Sequence, residues 1–193
     1  MALADNALIS VDYLRQYVEA DEDDSAIPPE LLITYINAAS YMIERFCGRK
    51  FITPSAAVDE IFDGNGVHEY YVTNCPITET PSVYYWSLTT FVSTTYTFTY
   101  DGDTGRVYFT DGSIFDEGVD NWKVSYKYGW AVSGLPEDLR LACALLAIHL
   151  RFRSQKMGIT SESFGDGSTT YDMQAIPLVV QSILQKYRKL SYG

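Results

Sequence analysis

Hydrophobic and polar positions follow three different patterns along the chain of 193 residues. Apolar residues recur at helical spacing before residue 55 and after residue 131, whereas they alternate with polar residues, as in strands, between these points. The pattern predicts an α+β fold, a helical bundle of about four helices with an inserted small antiparallel β-sheet or barrel domain. The predicted division is a helical core, residues 1–54 and 132–193, and a β-rich insert, residues 55–131.

Residues that cap helices set the predicted ends of the four helices. Prolines, which the first helical turn tolerates, open the second helix at Pro28–Pro29 and the third at Pro136. Ser10 is a suitable N-cap for the first helix, and Gly48 fits the left-handed position that follows the second. The predicted ranges are 11–20, 29–47, 136–155 and 177–190.

The third predicted helix is apolar nearly all round. One stripe holds Leu139, Leu146 and Leu150, and the opposite side carries Leu141, Leu145 and Ile148. A helix of this kind is buried nearly all round. In a chain of this length we expect part of that burial to come from another copy of the protein. Leu141, Leu145 and Ile148 are therefore the predicted packing residues between subunits.

The β-rich insert accounts for most of the aromatic residues. Thr95–Tyr100 alternates strictly between threonine and aromatic residues, which predicts a strand. The Asp-Gly and Asn-Gly pairs in residues 63–66 supply the positive φ angles of a tight hairpin. A further predicted strand puts four residues on one face: Trp122, Val124, Tyr126 and Tyr128. The aromatic residues of the insert form its expected core.

The charge is strongly acidic, with a formal net charge of −11. This argues against a protein that binds nucleic acid by neutralising phosphates, which requires a basic patch. Residues 136–193 are slightly basic, whereas residues 1–135 are strongly acidic, a polarity that oligomers use for orientation. We expect no signal peptide, because the first ten residues have no cationic stretch followed by an apolar one. We expect no membrane span, because the sequence has no apolar run of about 18 residues.

The sequence offers little for catalysis, so we predict no enzymatic activity and no cofactor. The three cysteines lack the spacing of a zinc site and are expected to be reduced core residues. His68 and His149 have no ligand partner nearby in sequence and are interpreted as structural. The segment Asp101–Gly105 is interpreted as a turn. Calcium is the weaker alternative, because the twelfth loop position is Gly112 and not glutamate.

An ordered series of segments resembles the head–tail connector (adaptor) family of tailed bacteriophages, in its larger variant with a β insert. The series begins with ISVDYLRQYV, an acidic loop and LLITYINAASYMIERFCGRKF. It continues with EIFDGNGVHEYYV, CPITETPSV and KVSYKYGWA. It ends with LPEDLRLACALLAIHLRFR, GITSESFGDGSTTYDM and QKYRK. The resemblance spans nearly the whole chain, from Leu8 to Lys189, and rests on the order of the segments.

The resemblance implies a structural virion protein that forms a ring, typically twelvefold, under the portal. Such a ring extends the DNA channel and is a platform for the next neck protein. The expected partners are the portal protein, a stopper (head-closure) or tail protein, and further copies of the chain. Genomic DNA would pass through without specific binding. The expected location is the virion neck, after assembly in the host cytoplasm, with no membrane involved.

The resemblance also implies that residues 158–171 and 181–193 dock on the portal. A polar loop with isolated hydrophobic residues suits a segment that folds on a partner. The residues expected to dock are Ile159, Glu162, Phe164, Tyr171, Tyr187 and Arg188. The acidic run Asp21, Glu22, Asp23 and Asp24 is expected to face the lumen or the solvent.

Two alternatives belong to other classes of function. The first is another neck or tail component, a stopper or a tail-completion protein, which would share the setting without binding the portal. The second is a module that binds a carbohydrate or another small ligand on the aromatic sheet. The second alternative requires exposed tryptophan or tyrosine, which the fluorescence of Trp86, Trp122 and Trp130 would test.

Overall fold

The computed structural model describes residues 2–18, 27–155, 161–164, 167–170 and 174–189. In residues 161–164 and 167–170 it describes the backbone. The residues group into two compact units: a helical unit, Met1–Gly48 with Val132–Gly193, and a β unit, Arg49–Ala131. Four α-helices are present in the described residues: α1 (Val11–Val18), α2 (Pro29–Cys47), α3 (Glu137–Gln155) and α4 (Leu178–Leu184).

The capping residues act as the sequence predicts in the first two helices. Ser10 caps α1, since its Oγ accepts a hydrogen bond from the Tyr13 amide at 3.1 Å. Helix α2 ends at Gly48, whose φ of +71° lies in the left-handed region and whose amide donates to the Glu44 carbonyl at 2.9 Å. The predicted range 29–47 is confirmed, and α3 begins one residue after its predicted start.

The core of the helical unit is mainly aliphatic. Helix α2 packs against α3, and α1 and α4 also pack against α3. The largest fully buried side chains here are Leu8, Ile9, Leu14, Leu32, Ile36, Ile43, Leu139, Leu146 and Leu184. Ser40 is a buried polar residue among them, and its Oγ accepts a hydrogen bond from the Leu8 amide at 3.1 Å. The Ser40 hydroxyl also lies 3.6 Å from the Cys143 sulfur, whose pKa burial raises to about 12.

The predicted last helix, 177–190, is wrong in its length. Helix α4 has seven residues and passes into a short 3-10 helix, Gln185–Tyr187, after which Arg188 is extended. Two tertiary contacts explain the early end. The ring of Tyr187 turns into the core, and the Lys189 amide donates to the Cys47 carbonyl at 2.7 Å.

The predicted loop 158–171 contains a β-hairpin. Strand β8 (Ser161–Phe164) pairs antiparallel with β9 (Gly167–Thr170). The serine and threonine content that suggests a loop is also compatible with a strand, because threonine is enriched in strands.

The β unit consists of two antiparallel sheets. One has the order β1-β7-β3-β4 and the other β2-β6-β5. The strands are β1 (Val58–Gly64), β2 (Glu69–Tyr71), β3 (Ser82–Ser87), β4 (Thr90–Ser93), β5 (Phe98–Asp101), β6 (Arg106–Phe109) and β7 (Gly118–Tyr126). The tight hairpin predicted at residues 63–66 is therefore wrong, because the strands before and after it pair with β7 and β6 and not with each other.

The predicted strand Thr95–Tyr100 is displaced towards the C-terminus. Strand β5 starts at Phe98, which pairs with Phe109 of β6. Tyr96 lies in the preceding bend, where its amide donates to the Thr94 hydroxyl at 3.2 Å. The alternation of threonine and aromatic residues thus begins before the strand, because the pairing with β6 determines where β5 starts.

Aromatic residues form the core of the β unit, as predicted. The four residues expected on one face are all buried: Trp122, Val124, Tyr126 and Tyr128. The other buried members of the cluster are Phe62, Val72, Ile77, Val83, Val107, Phe109 and Phe115. The three cysteines are free, with Cys47 and Cys143 buried and Cys75 half-buried.

Glu60 connects the two sheets of the β unit. Its carboxylate accepts hydrogen bonds from the Tyr126 hydroxyl of β7 at 2.6 Å and from the Tyr70 hydroxyl of β2 at 2.8 Å. The Thr73 amide and hydroxyl donate to the same carboxylate, at 3.0 and 2.7 Å. Burial, followed by the interaction with Glu60, raises the pKa of both tyrosines, so both phenols stay protonated as donors.

The incoming and outgoing segments of the β unit lie side by side. Ile52 and Trp130 form a parallel bridge. The Trp130 amide donates to the Phe51 carbonyl at 2.8 Å, and the Thr53 amide donates to the Trp130 carbonyl at 3.0 Å. Gly129 permits this approach, since its φ is +84° and a Cβ there would lie 2.3 Å from the Phe51 carbonyl oxygen.

Candidate assembly interfaces

One side of helix α3 carries apolar residues that the helical unit covers only partly. Leu141, Leu145 and Ile148 are each half-buried and follow one another at helical spacing. Phe152, one further turn along, is 42% exposed. The structure thus brings together the three residues predicted to pack between subunits, and Phe152 extends their stripe towards the end of the helix.

The C-terminal segment is fixed to the start of α3 through Asp138. The Tyr187 hydroxyl donates to Oδ1 of Asp138 at 2.7 Å, and the Lys186 ammonium pairs with the same carboxylate. Burial works against ionisation of Asp138, but the hydrogen bonds from Lys186 and Tyr187 outweigh it and hold the pKa below its ordinary value. Tyr187, predicted to dock on the portal, is buried and acts as an anchor within its own chain.

Arg188, the other docking residue predicted at this end, is exposed at the end of α2. Its guanidinium carbon lies 5.4 Å from the centre of the Phe46 ring. The next residue, Lys189, is tied to the Cys47 carbonyl. The exposed arginine therefore projects from a backbone that α2 holds in place.

The hairpin β8–β9 contains two of the predicted docking residues. In its register Glu162 is opposite Thr169 and Phe164 is opposite Gly167. Beyond the hairpin, the Gln174 carbonyl oxygen contacts Nε2 of His149 at 2.8 Å and accepts a hydrogen bond from Arg153 at 3.2 Å. His149 therefore has a structural contact, and the chain is held against the last turns of α3. Outside the described residues lie Ile159, Tyr171 and the acidic run Asp21–Asp24.

Sequence reasoning misses two exposed apolar residues at the start of α4. Leu178 is 66% exposed and Val179 is 59% exposed, whereas Val180 and Leu184 are buried. The buried pair, four residues apart, already defines the inner face of the helix. That spacing is the signal that would have assigned Leu178 and Val179 to its outer face.

The turn Asp101–Gly105 has structural surroundings, and His68 lies in the bend before β2, where its carbonyl accepts a hydrogen bond from the Phe109 amide at 2.9 Å. Oδ1 of Asp101 accepts a hydrogen bond from the Asp103 amide at 3.0 Å, an arrangement typical of a turn. Hydrogen bonds, first from the Thr104 side chain, hold the pKa of Asp101 below its ordinary value. In the described ranges no group of three or more His, Cys, Asp or Glu residues is arranged to hold a metal ion. Among the described helices, none combines the length and the apolar character needed to cross a bilayer.

Comparison with known proteins gives matches along the whole chain. The family model described as "Head completion protein" matches residues 7–190. No curated protein matches the chain in sequence.

Solved structures with a similar fold come from gene transfer agent (GTA) particles, and each match covers 100% of this chain and 96% of the other. A chain from the virion of the native particle has a TM-score of 0.65 at 16% identity. A chain from the neck of the empty particle, computed with C6 symmetry, has a TM-score of 0.64 at 15% identity. One from the neck of the native particle, computed with C12 symmetry, has a TM-score of 0.58 at 17% identity. At this identity the matches establish the fold.

The family match covers nearly all of the chain and includes both compact units. It confirms the resemblance drawn from the order of the sequence segments. The chain belongs to the head completion protein family, a family of phage head–tail connectors.

Proposed function

We propose that the protein is a non-enzymatic adaptor of the head–tail neck, which forms a ring under the portal. The ring extends the DNA channel and is a platform for a stopper or tail protein. The observation that carries the proposal is the family match over residues 7–190. The similarity in fold to chains from GTA necks computed with C6 and C12 symmetry supports a ring, twelvefold in the particle.

The half-buried side of α3 supports a contact between subunits. Leu141, Leu145, Ile148 and Phe152 offer apolar surface that a neighbouring subunit would remove from water. In a ring each copy uses two different surfaces, one towards each neighbour, and the rotations from one copy to the next add up to a full turn. We assign this side of α3 to one of the two surfaces.

The end of α3 and the C-terminal segment support a docking region for the portal. The hairpin bearing Glu162 and Phe164 precedes Gln174, which contacts α3, and Arg188 follows the buried anchor Tyr187. Fixed points on both sides of a docking segment reduce the conformational entropy that is lost on binding. With Ile159 and Tyr171, these residues form the proposed portal contact.

The acidic character of the chain supports a channel wall that does not hold DNA. A net charge of −11 repels phosphates, so a duplex would pass without specific binding. We assign the run Asp21–Asp24 to the lumen. Reversal of these charges to lysine should retard DNA ejection in reconstituted particles, and unchanged ejection would place the run on the solvent side.

The first test is to mix the purified protein with portal rings from the same genome and to measure co-sedimentation and stoichiometry. Saturable binding of one copy per portal subunit is the expected result. If the folded protein does not bind, the adaptor role is wrong and a stopper or tail-completion role takes its place.

A second test locates the portal contact. Phe164→Ala should weaken portal binding, because aromatic anchors dominate the energy of interfaces. Thr169→Ala, on the partner strand of the same hairpin, is the matched control. Equal binding by the two variants would remove Phe164 from the contact.

A further inference from the structure

The β unit has an open cavity that its hydrophobic core does not fill. Its volume is about 250 Å³, and its lining consists of Tyr85, Trp86, Tyr96, Asp116, Asn121 and Trp122. Four of these six residues are aromatic. Trp86, Tyr96 and Tyr85 are 46%, 41% and 39% exposed, so the cavity is open to a ligand from solvent.

Hydrogen bonds fix the loop that carries Asp116. The Asp116 carbonyl accepts from Nδ2 of Asn121 at 2.8 Å and from Nε1 of Trp122 at 3.2 Å. Oδ1 of Asn121 accepts in turn from the Gly64 amide at 2.8 Å. Gly64 is required here, because a Cβ would lie 1.8 Å from the Asp116 carbonyl oxygen. The cavity wall is therefore pre-formed, and binding costs little reorganisation.

The aromatic part of the wall is also held by packing. The ring of Tyr96 stands edge-on to Phe109, with centroids 5.5 Å apart, and the ring of Tyr85 lies 6.2 Å from Trp122. Trp86 packs edge-on against Phe91 at 5.1 Å. Such pairs fix ring orientation, and fixed π faces attract cations.

Asp116 is the charged residue of the lining, and its carboxylate is available. Within the described part of the chain, its hydrogen bonds run through its main-chain carbonyl, and no ion pair engages its side chain. Residues 111–122 contain four acidic residues and no lysine or arginine. The nearby Lys123 is committed to Asp59 at 3.1 Å and lies over the Tyr84 ring at 4.6 Å.

We propose that this cavity is a receptor for a cationic side chain, arginine or lysine, presented by a partner protein. The aromatic rings take the apolar stem and the face of the guanidinium or ammonium group, and Asp116 accepts its hydrogen bonds. The same sheet already combines these elements for its own Lys123, which contacts two aromatic rings and one carboxylate. This site goes beyond the adaptor role and does not depend on portal binding.

The polar groups of the cavity favour a cation over a neutral sugar. A sugar presents several hydroxyls, which call for both donors and acceptors in the wall. Asn121 and Trp122 each use an N–H on the Asp116 carbonyl, so the hydroxyls of Tyr85 and Tyr96 are the polar groups of the lining that a sugar would use. The Asp116 carboxylate and the π faces instead complement a positive charge, which a neutral sugar does not carry.

The test uses N-acetyl-arginine amide as the probe, with N-acetyl-glutamine amide and methyl glucoside as neutral comparisons. Binding is followed through the indole N–H signals of Trp86 and Trp122 in the NMR spectrum of the ¹⁵N-labelled protein. The arginine derivative should shift these signals saturably, and higher ionic strength should weaken its binding.

Two matched variants test the carboxylate. Asp116→Asn should weaken binding of the arginine derivative about fivefold, the effect of losing one ion pair near the surface. Glu117→Gln removes the adjacent charge, which is outside the lining, and should leave binding nearly unchanged. Unperturbed signals elsewhere in the spectrum would establish that both variants are folded.

Three results would overturn the proposal. The first is that the arginine derivative shifts neither indole signal. The second is that the neutral amide binds as well as the arginine derivative. In the third, methyl glucoside shifts the signals and the arginine derivative does not, which would assign the cavity to a carbohydrate.

Discussion

The helical unit and the β unit bury different chemistry. The helical unit encloses mainly aliphatic side chains, with Ser40 as the buried polar residue among those described. The β unit encloses aromatic rings around a carboxylate, Glu60, that four donor groups satisfy. The stability of the first unit thus depends on how well apolar volume is filled, whereas that of the second also depends on hydrogen bonds of fixed direction.

The distribution of tryptophan makes the two units separately observable. The three tryptophans, Trp86, Trp122 and Trp130, all lie in the β unit. Their fluorescence therefore reports unfolding of the β unit, and far-UV circular dichroism is dominated by the helices.

Loss of packing in the helical unit should have the largest effect. Leu146 is fully buried, so Leu146→Ala should lower the free energy of unfolding by about 3 kcal/mol, as expected for a cavity in a helical core. The circular dichroism transition in urea should shift and the tryptophan transition should stay in place. Leu145→Ala, at the half-buried neighbouring position, is the control and should cost about 1 kcal/mol.

A common shift of both transitions in Leu146→Ala would contradict this contrast, because it would mean that the two units unfold together. In that case the different chemistry of the cores would not translate into independent stability.

Loss of the central carboxylate should destabilise the β unit. Glu60→Ala leaves the hydroxyls of Tyr70 and Tyr126 and the Thr73 amide without their acceptor, which should cost about 2 kcal/mol. The tryptophan transition should move to lower urea concentration. Glu79→Ala breaks an exposed ion pair with Lys127 and should change stability by less than about 0.5 kcal/mol. Equal effects of the two variants would show that the Glu60 network adds no stability.

Loss of one hydroxyl should destabilise the helical unit less than loss of packing does. Tyr187→Phe removes the hydrogen bond to Asp138 but keeps the buried ring, so the expected cost is about 1 kcal/mol. Tyr41→Phe, where the side chain is 61% exposed, should be neutral by the same urea titration. A cost for Tyr187→Phe as large as that for Leu146→Ala would show that polar contacts dominate this unit too.

The smallest expected effect is the pH dependence of the stability that the Asp138 carboxylate contributes. Its pKa lies lower in the folded chain than in the unfolded chain, so the ionised carboxylate contributes stability above the unfolded pKa, and that contribution is lost as pH falls through the folded pKa. The gap in stability between the wild type and Asp138→Asn should therefore be constant above about pH 5 and should close in acid. Thermal unfolding at several pH values measures it, and a gap that widens in acid would reverse the assigned sign.

Proline and glycine residues at helix ends made part of the fold predictable from the sequence. Pro28–Pro29 and Gly48 determine α2 through local backbone chemistry, and the range 29–47 is correct. The end of α4 is determined by contacts of Tyr187 and Lys189 with residues far away in sequence, so periodicity alone extends the helix too far. Strand β5 is misplaced for a similar reason, since β6 selects its register.

The candidate sites were less predictable than the fold. The apolar stripe of α3 is visible from helical spacing because it needs only one element. The cavity of the β unit combines residues from separate segments, such as Tyr85, Tyr96 and Asp116, which become neighbours only after the sheets form. The anchoring of Tyr187 was unpredictable for the same reason, because its partner Asp138 lies at the start of α3, 49 residues earlier in the chain.

The parallel bridge between Ile52 and Trp130 has a consequence for the order of folding. Helix α3 must meet α2 across the whole stretch Arg49–Ala131, and closing a loop of this length carries an entropic cost. Once the β unit has formed, its two ends are adjacent, and the same stretch closes like a loop of a few residues. The entropic cost of closing the loop falls by roughly 2 kcal/mol, because the effective loop length is halved about four times. We therefore expect the β unit to form early and to hold its two ends together. This accelerates assembly of the helices that precede and follow it in the chain.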